Sequence, residues 1–166
     1  MQYKILIPAR GGSKRIPNKN VIDVNGNPLI SYSINQALKL TEEVYVSTDC
    51  NNISMVAEEW GAKIIPRPSN ISGDYSKTEE AVNHFLELEE TDIIVVLQAT
   101  SPTIKAADIK IGLDLIKKYD SVISVSEEKG FYWKQEGIPI NFILGNRSRT
   151  QDMVPWYKEN GAFYIT

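Results

Sequence analysis

The sequence is poor in the residues from which many catalytic and metal sites are built. Its 166 residues include one cysteine, Cys50, and one histidine, His84. A single cysteine rules out a disulfide framework or a thiolate zinc site within the chain. A single histidine rules out a multi-histidine metal centre, and no Cys/His or Ser/His nucleophilic pair suggests itself. Long apolar runs are missing too. The run in "MQYKILIPARGG" is too short for a signal peptide, and no stretch approaches bilayer length. A cytoplasmic protein with no membrane partner is the expectation. Nor is there a basic excess: the formal net charge is -3, which argues against a nucleic-acid surface across the molecule. Repeats and low-complexity segments are absent. The length fits one domain, residues 1–166, with a real core.

What is present alternates between two kinds of segment. "YKILIP", "EVYVST", "AKIIP", "DIIVVLQ" and "DSVISVS" are short and nearly all apolar, as strands buried on both faces require. Helical patterns lie between them. Asn27 and Pro28 predict the N-cap and first position of one helix. Ser76 and Glu79 have the spacing of a capping box for another. In a third, Ile109, Leu113 and Ile116 repeat on one face, with Lys117 and Lys118 in the last turn. The predicted fold class is therefore α/β: three layers, a mainly parallel sheet with helices on both faces. Residues 128–160 break the pattern. They predict an irregular β excursion, with a hairpin turning at Glu136 and Gly137, before a final strand in "GAFYIT".

In open α/β sheets ligands bind beyond the carboxyl ends of the strands. Four segments fall there: "ARGGSKRIPNKN", "STDCN", "RPSNISGDYS" and "QATSPT". The first crowds Arg10, Lys14, Arg15 and Lys19 around Gly11 and Gly12. It is not a P-loop, because Gly-x4-Gly-Lys-Ser/Thr is not satisfied. It is not a dinucleotide fingerprint either, since Pro17 stands where the helix should be running. Adjacent glycines let backbone N–H groups approach an anion closely. Arg10 can grip phosphate oxygens bidentately, and Lys19 supplies a compact charge. A triphosphate is the small ligand that such a loop suits.

"IPARGGSKRIPNKN" resembles the N-terminal motif of the cytidylyltransferases that make CMP-sialic acids and related CMP-nonulosonic acids. "VSTD" (46–49), "RPSNISGD" (67–74), "LQATSP" (97–102) and "NGAFYI" (160–165) follow in that family's order. The resemblance implies a nucleotide-diphospho-sugar transferase-like fold. It also implies transfer of CMP from CTP to the anomeric hydroxyl of a nine-carbon 2-keto sugar acid, with release of pyrophosphate.

By the same resemblance Arg10 and Lys19 carry the catalysis, and Arg10, Gly11, Ser13, Lys19, Asn20 and Thr78 bind the nucleotide. Thr78 has a second reading as an ordinary first-turn residue. Arg67 reads equally as an anchor of its turn, and Asp49 as a metal ligand or a helix cap. Gln98 falls at the sugar site, where its amide can both donate and accept. Lys134 and Arg149 are the implied partners of the substrate carboxylate, and Tyr164 an implied pocket residue. The family's arginine falls on Thr150, one place from Arg149. The stretch from Gly130 to Asn160 resembles a dimerisation excursion, implying a homodimer. Relatives carry an Asp-x-Asp pair for magnesium further along. No Asp-x-Asp occurs here, so magnesium is expected to arrive with CTP and no protein ligand for it is assigned. That absence is expected either of a piece of a longer protein or of a short, weakly active one. The alternatives are a non-catalytic binding relative or a transferase acting on 3-deoxy-octulosonate.

Overall fold

The structure, a computed structural model, describes residues 2–166. Four parallel strands form its centre: β1 (Tyr3–Pro8), β4 (Val44–Thr48), β5 (Lys63–Pro66) and β6 (Ile93–Leu97). A small hairpin, β2 (Asp23–Val24) and β3 (Asn27–Pro28), precedes the first helix, α1 (Leu29–Leu38). The remaining helices are α2 (Asn51–Glu59), α3 (Thr78–Leu88) and α4 (Ala106–Leu115). Two further strands, β7 (Val122–Glu128) and β8 (Trp156–Ile165), complete a six-stranded sheet of order β5-β4-β1-β6-β8-β7. β8 runs antiparallel to β6, with Val96 opposite Tyr164. The predicted fold class is the one observed.

Every residue of β4 and β6 is buried, as their apolar runs require. Side chains alternate between two clusters. Ile5, Ile7, Val44, Val46, Val95 and Leu97 pack with Ile30 and Ile34 of α1, Ile53 of α2 and Ile109 of α4. Leu6, Tyr45, Ile94 and Val96 point the other way, against Phe85 of α3. Three helices therefore cover one face and α3 the other. Two ion pairs stand at the amino end of this sheet. Lys4 meets Glu89 at 2.6 Å and Lys63 meets Glu43 at 2.5 Å. Burial, and then the hydrogen bond to Glu43, push the Tyr45 hydroxyl's pKa upward.

Local boundaries differ from expectation for identifiable reasons. α1 starts one residue later than predicted: Pro28, not Asn27, is its N-cap, and Asn27 and Pro28 also pair with Val24 and Asp23. Asn25 and Gly26 form the two-residue turn between those strands, with φ of 54° and 85°, the geometry that favours Asn-Gly in hairpins. Asp23 Oδ1 accepts the Gly26 N–H at 3.1 Å, and the Tyr32 hydroxyl donates to the Val24 carbonyl. The cap of α3 lies one residue later than predicted: Glu80, not Glu79, accepts a backbone N–H, that of Lys77, at 2.7 Å. α4 ends at Leu115, before Lys117 and Lys118.

The chain divides into two compact units, one running to Ile123 and including Gly161–Thr166, the other Ser124–Asn160. The second unit contains the expected hairpin. Trp133 bridges Pro139, Lys134 N–H donates to Ile138 O at 2.8 Å, and Gly137 has φ of 77°. Asn141 staples this unit, accepting from Tyr132 N–H and donating to Gly130 O. The Arg147 guanidinium lies over the rings of Phe131, Trp133 and Phe142, at 4.8–5.5 Å from their centroids. Among the described residues no helix is long and apolar enough to cross a membrane.

Phe85 is fully buried and meets Tyr45 edge-on at 5.1 Å. With few other large side chains on the α3 face, Phe85→Ala should cost about 3–5 kcal/mol. Chemical denaturation measures this, and a loss below about 1 kcal/mol would show that the α3 face collapses around the gap.

Candidate functional site

The loops after β1, β4, β5 and β6 all emerge at the carboxyl end of the parallel strands. An open cleft of about 400 Å³ lies there. Its wall contains six cationic residues, Arg10, Lys14, Arg15, Lys19, Arg67 and Lys77, together with Ser13, Asn20, Ser76, Thr78, Gln98 and Thr100. Among the described residues no aspartate or glutamate lines it. This end of the sheet therefore concentrates positive charge.

Hydrogen bonds to neighbouring elements hold the basic loop in place. Ala9 N–H donates to Ser47 O at 2.9 Å, extending the ladder one residue past β1. Asn20 is buried, and its Nδ2 donates to the Arg10 carbonyl at 3.1 Å. Asn18, left-handed at φ 53°, turns the chain into the short 3-10 segment Lys19–Val21. Gly11 N–H donates to Asp49 Oδ1 at 2.9 Å. A Cβ on Gly11 would lie 2.8 Å from the Cβ of Cys50, closer than packed atoms can stand. Gly11 is therefore required by packing against the β4–α2 junction. Gly12 has no heavy atom within 4 Å of its ideal Cβ position.

Arg67 is the cation most firmly built in. It is 9% exposed, with Nε donating to Ser47 Oγ at 3.0 Å and Nη2 to Ser47 O at 2.7 Å. Burial lowers its pKa; Asp49 opposes that shift and Arg10 adds to it. An arginine stays charged even so, which leaves a fixed positive charge in the wall. The sequence left Arg67 open as a turn anchor, and it is both anchor and wall. Gln98 is held at both backbone groups: its N–H donates to Ala162 O at 2.9 Å, and its carbonyl accepts from Ser33 Oγ at 3.0 Å.

Of the residues assigned from the sequence, Arg10, Ser13, Lys19, Asn20, Thr78 and Gln98 meet in this one cleft. Gly11 supports the loop without lining it. Tyr164 is not brought there. Strand alternation sends Phe163 and Ile165 into the larger cluster and turns Tyr164 against the α3-side cluster. Lys134 and Arg149 belong to the second unit, where Arg149 Nε is paired with Asp152 at 2.6 Å. Lys14, Arg15, Arg67, Ser76, Lys77 and Thr100 line the cleft without having been assigned. Their shared signal was position in a loop after a parallel strand.

These side chains do not fit a protein-held magnesium ion. Among the described residues no three His, Cys, Asp or Glu side chains cluster as a metal site. The carboxylates near the basic loop are otherwise engaged: Asp49 with Gly11 N–H, and Asp74 with Lys14 and Arg10. The cleft is chemically an anion cradle. It can fix and neutralise a polyphosphate.

Comparison with known proteins agrees with that chemistry. A family model described as cytidylyltransferase matches residues 4–140. The chain is 40% identical to an N-acylneuraminate cytidylyltransferase from Oncorhynchus mykiss, over 96% of this chain and 40% of that protein. It is 35% identical to a pseudaminic acid cytidylyltransferase from Campylobacter jejuni, over 99% of this chain and 78% of that protein. The chain thus spans well under half the length of the fish relative. A solved CMP:2-keto-3-deoxy-manno-octonic acid synthetase, complexed with CTP, shares the fold. Its TM-score is 0.76 at 21% identity, over 99% of this chain and 73% of that one.

The two glycines should respond differently to a methyl group. Gly11→Ala should lower the melting temperature and displace the loop. Gly12→Ala should leave the free protein's melting temperature unchanged and weaken pyrophosphate binding about tenfold if the backbone approaches the anion there. Thermal unfolding and titration calorimetry separate the two. Equal behaviour of both variants would contradict the distinct roles.

Proposed function

The chain belongs to the cytidylyltransferase family, and from that premise we propose that it binds CTP in this cleft and transfers CMP to a sugar acid. The acceptor is the anomeric hydroxyl of a nonulosonic acid of the sialic or pseudaminic type, and the other product is pyrophosphate. The observation that carries this reading is the cleft wall itself: six cations and, among the described residues, no carboxylate at the carboxyl ends of the parallel strands. The names of the relatives support the choice of nucleotide and acceptor.

In the reaction the sugar oxygen forms a bond to the α-phosphorus as the bond to the β-phosphate oxygen breaks. Negative charge grows on the departing pyrophosphate, and the hydroxyl proton passes to solvent. Such a transfer depends on positioning and charge stabilisation more than on covalent chemistry. Arg10 would grip phosphate oxygens with its fork, and Lys19 would neutralise the charge that develops between the α-phosphate and the leaving group. The buried Arg67 would hold a fixed charge against the nucleotide. The Ser13 and Thr78 hydroxyls would donate to it, and the Gln98 amide would meet the sugar's hydroxyls. Magnesium, in this reading, enters with the triphosphate rather than on ligands from this chain.

The second unit exposes Ile143, Leu144, Val154 and Tyr157, an apolar surface suited to a second copy of the chain. We propose a homodimer, with Lys134 and Arg149 as the carboxylate-binding candidates on that unit. Light scattering after gel filtration reads the mass directly, and a monomer at every concentration would remove this part. A cytoplasmic location fits a single unpaired cysteine.

Incubation with CTP, magnesium and sialic, legionaminic or pseudaminic acid should release pyrophosphate in step with CMP-sugar formation. Lys19→Ala should slow this by at least about 100-fold if the lysine stabilises transition-state charge. CTP binding without turnover on any of these acids would leave a binding protein and contradict the transfer.

A further inference from the structure

Arg10 and Lys14 line the cleft, but the groups that hold them do not. Arg10 Nη1 donates to Gly73 O at 2.7 Å and to Asp74 Oδ1 at 3.2 Å. Lys14 Nζ reaches the other Asp74 oxygen at 2.6 Å. Neither Gly73 nor Asp74 contributes to the cleft wall. One carboxylate thus grips two cations of the basic loop from outside the space they face. It stands two residues before Ser76, Lys77 and Thr78, which line the same cleft. Lys14 first and Arg10 second keep the Asp74 carboxyl below its ordinary range, so it is ionised at neutral pH.

We infer that Asp74 is a positioning residue for polyphosphate binding. It orients Arg10 and Lys14 toward the anion and ties the loop after β1 to the segment that opens α3. This deepens the reading of the cleft as a triphosphate site and rests on it. A carboxylate beside phosphate-binding cations could instead compete with the phosphate for their donors, and the sign of the affinity change on removing Asp74 separates the two roles. The fork geometry agrees with positioning. The contacts to Gly73 and Asp74 engage one terminal nitrogen of Arg10, and a guanidinium carries donors on two more. The pairs are too exposed to matter much for global stability, with side-chain exposures of 29% for Arg10, 40% for Asp74 and 72% for Lys14. Their effect belongs to loop order and anion affinity.

The test compares wild type, Asp74→Ala and Asp74→Asn in two measurements. The first is amide hydrogen exchange without ligand, read over residues 10–15 and 72–78. The second is calorimetric titration with pyrophosphate at low salt. In Asp74→Ala exchange should quicken in both segments and pyrophosphate affinity should fall by about 3- to 10-fold, with the melting temperature unchanged. Asp74→Asn should lie between, because its amide oxygen still accepts from Arg10 while the charge facing Lys14 is gone. Unchanged exchange, or tighter pyrophosphate binding in Asp74→Ala, would overturn the inference; the latter would make Asp74 a competitor. If wild type bound no pyrophosphate, the cleft reading would fail, and the exchange comparison would still decide on Asp74 by itself.

Discussion

Like charges repel, and six cations around one cleft must be held together by something other than carboxylates in its wall. Hydrogen bonds supply much of that restraint, some to neutral groups and some to carboxylates outside the wall. Ser47 is central, accepting the Ala9 N–H and two donors of Arg67. Asn20 clamps the Arg10 carbonyl, and Asp49 takes the Gly11 N–H without facing the cleft. The site gathers cations whose charge an anion would offset. A polyphosphate that neutralises it gains from charges already fixed in place, which is the condition for preorganised stabilisation.

The sheet makes this arrangement available. Parallel strands send all their connections out at matching ends, so the loops after β1, β4, β5 and β6 converge without long-range coding. The opposite end shows the contrast. There Lys4–Glu89 and Lys63–Glu43 balance each other around Tyr45, and the chemistry is structural. One scaffold therefore carries structural ion pairs at one end and a cationic cleft at the other, with the apolar layers between them.

The parallel core and the basic loop were legible because their signals are local. A five-residue apolar run can only be buried, and four cations around two glycines can hardly avoid an anion. What escaped depended on partners distant in sequence, or on a one-residue register. Tyr164 looked like a pocket residue beside "NGA", but alternation along β8 turns it into the α3-side cluster. At residues 25–28 the register decides: the Asn25-Gly26 turn takes Asn27 and Pro28 into its hairpin and moves the start of α1 one residue on. Arg67 carried a double reading that only its burial against Ser47 could join. Asp74, 64 residues from Arg10, gave no sign in the sequence that it holds the loop. Gly11 looked like a phosphate glycine, and contact with Cys50 is what requires it.

A crystal structure of the chain with CTP would test the central claim most directly. Phosphate oxygens within hydrogen-bonding distance of Arg10 and Lys19, with the nucleotide lying between the loop after β1 and the start of α3, are the predicted result. CTP bound elsewhere, or bound there with its phosphates turned away from the basic loop, would contradict the account.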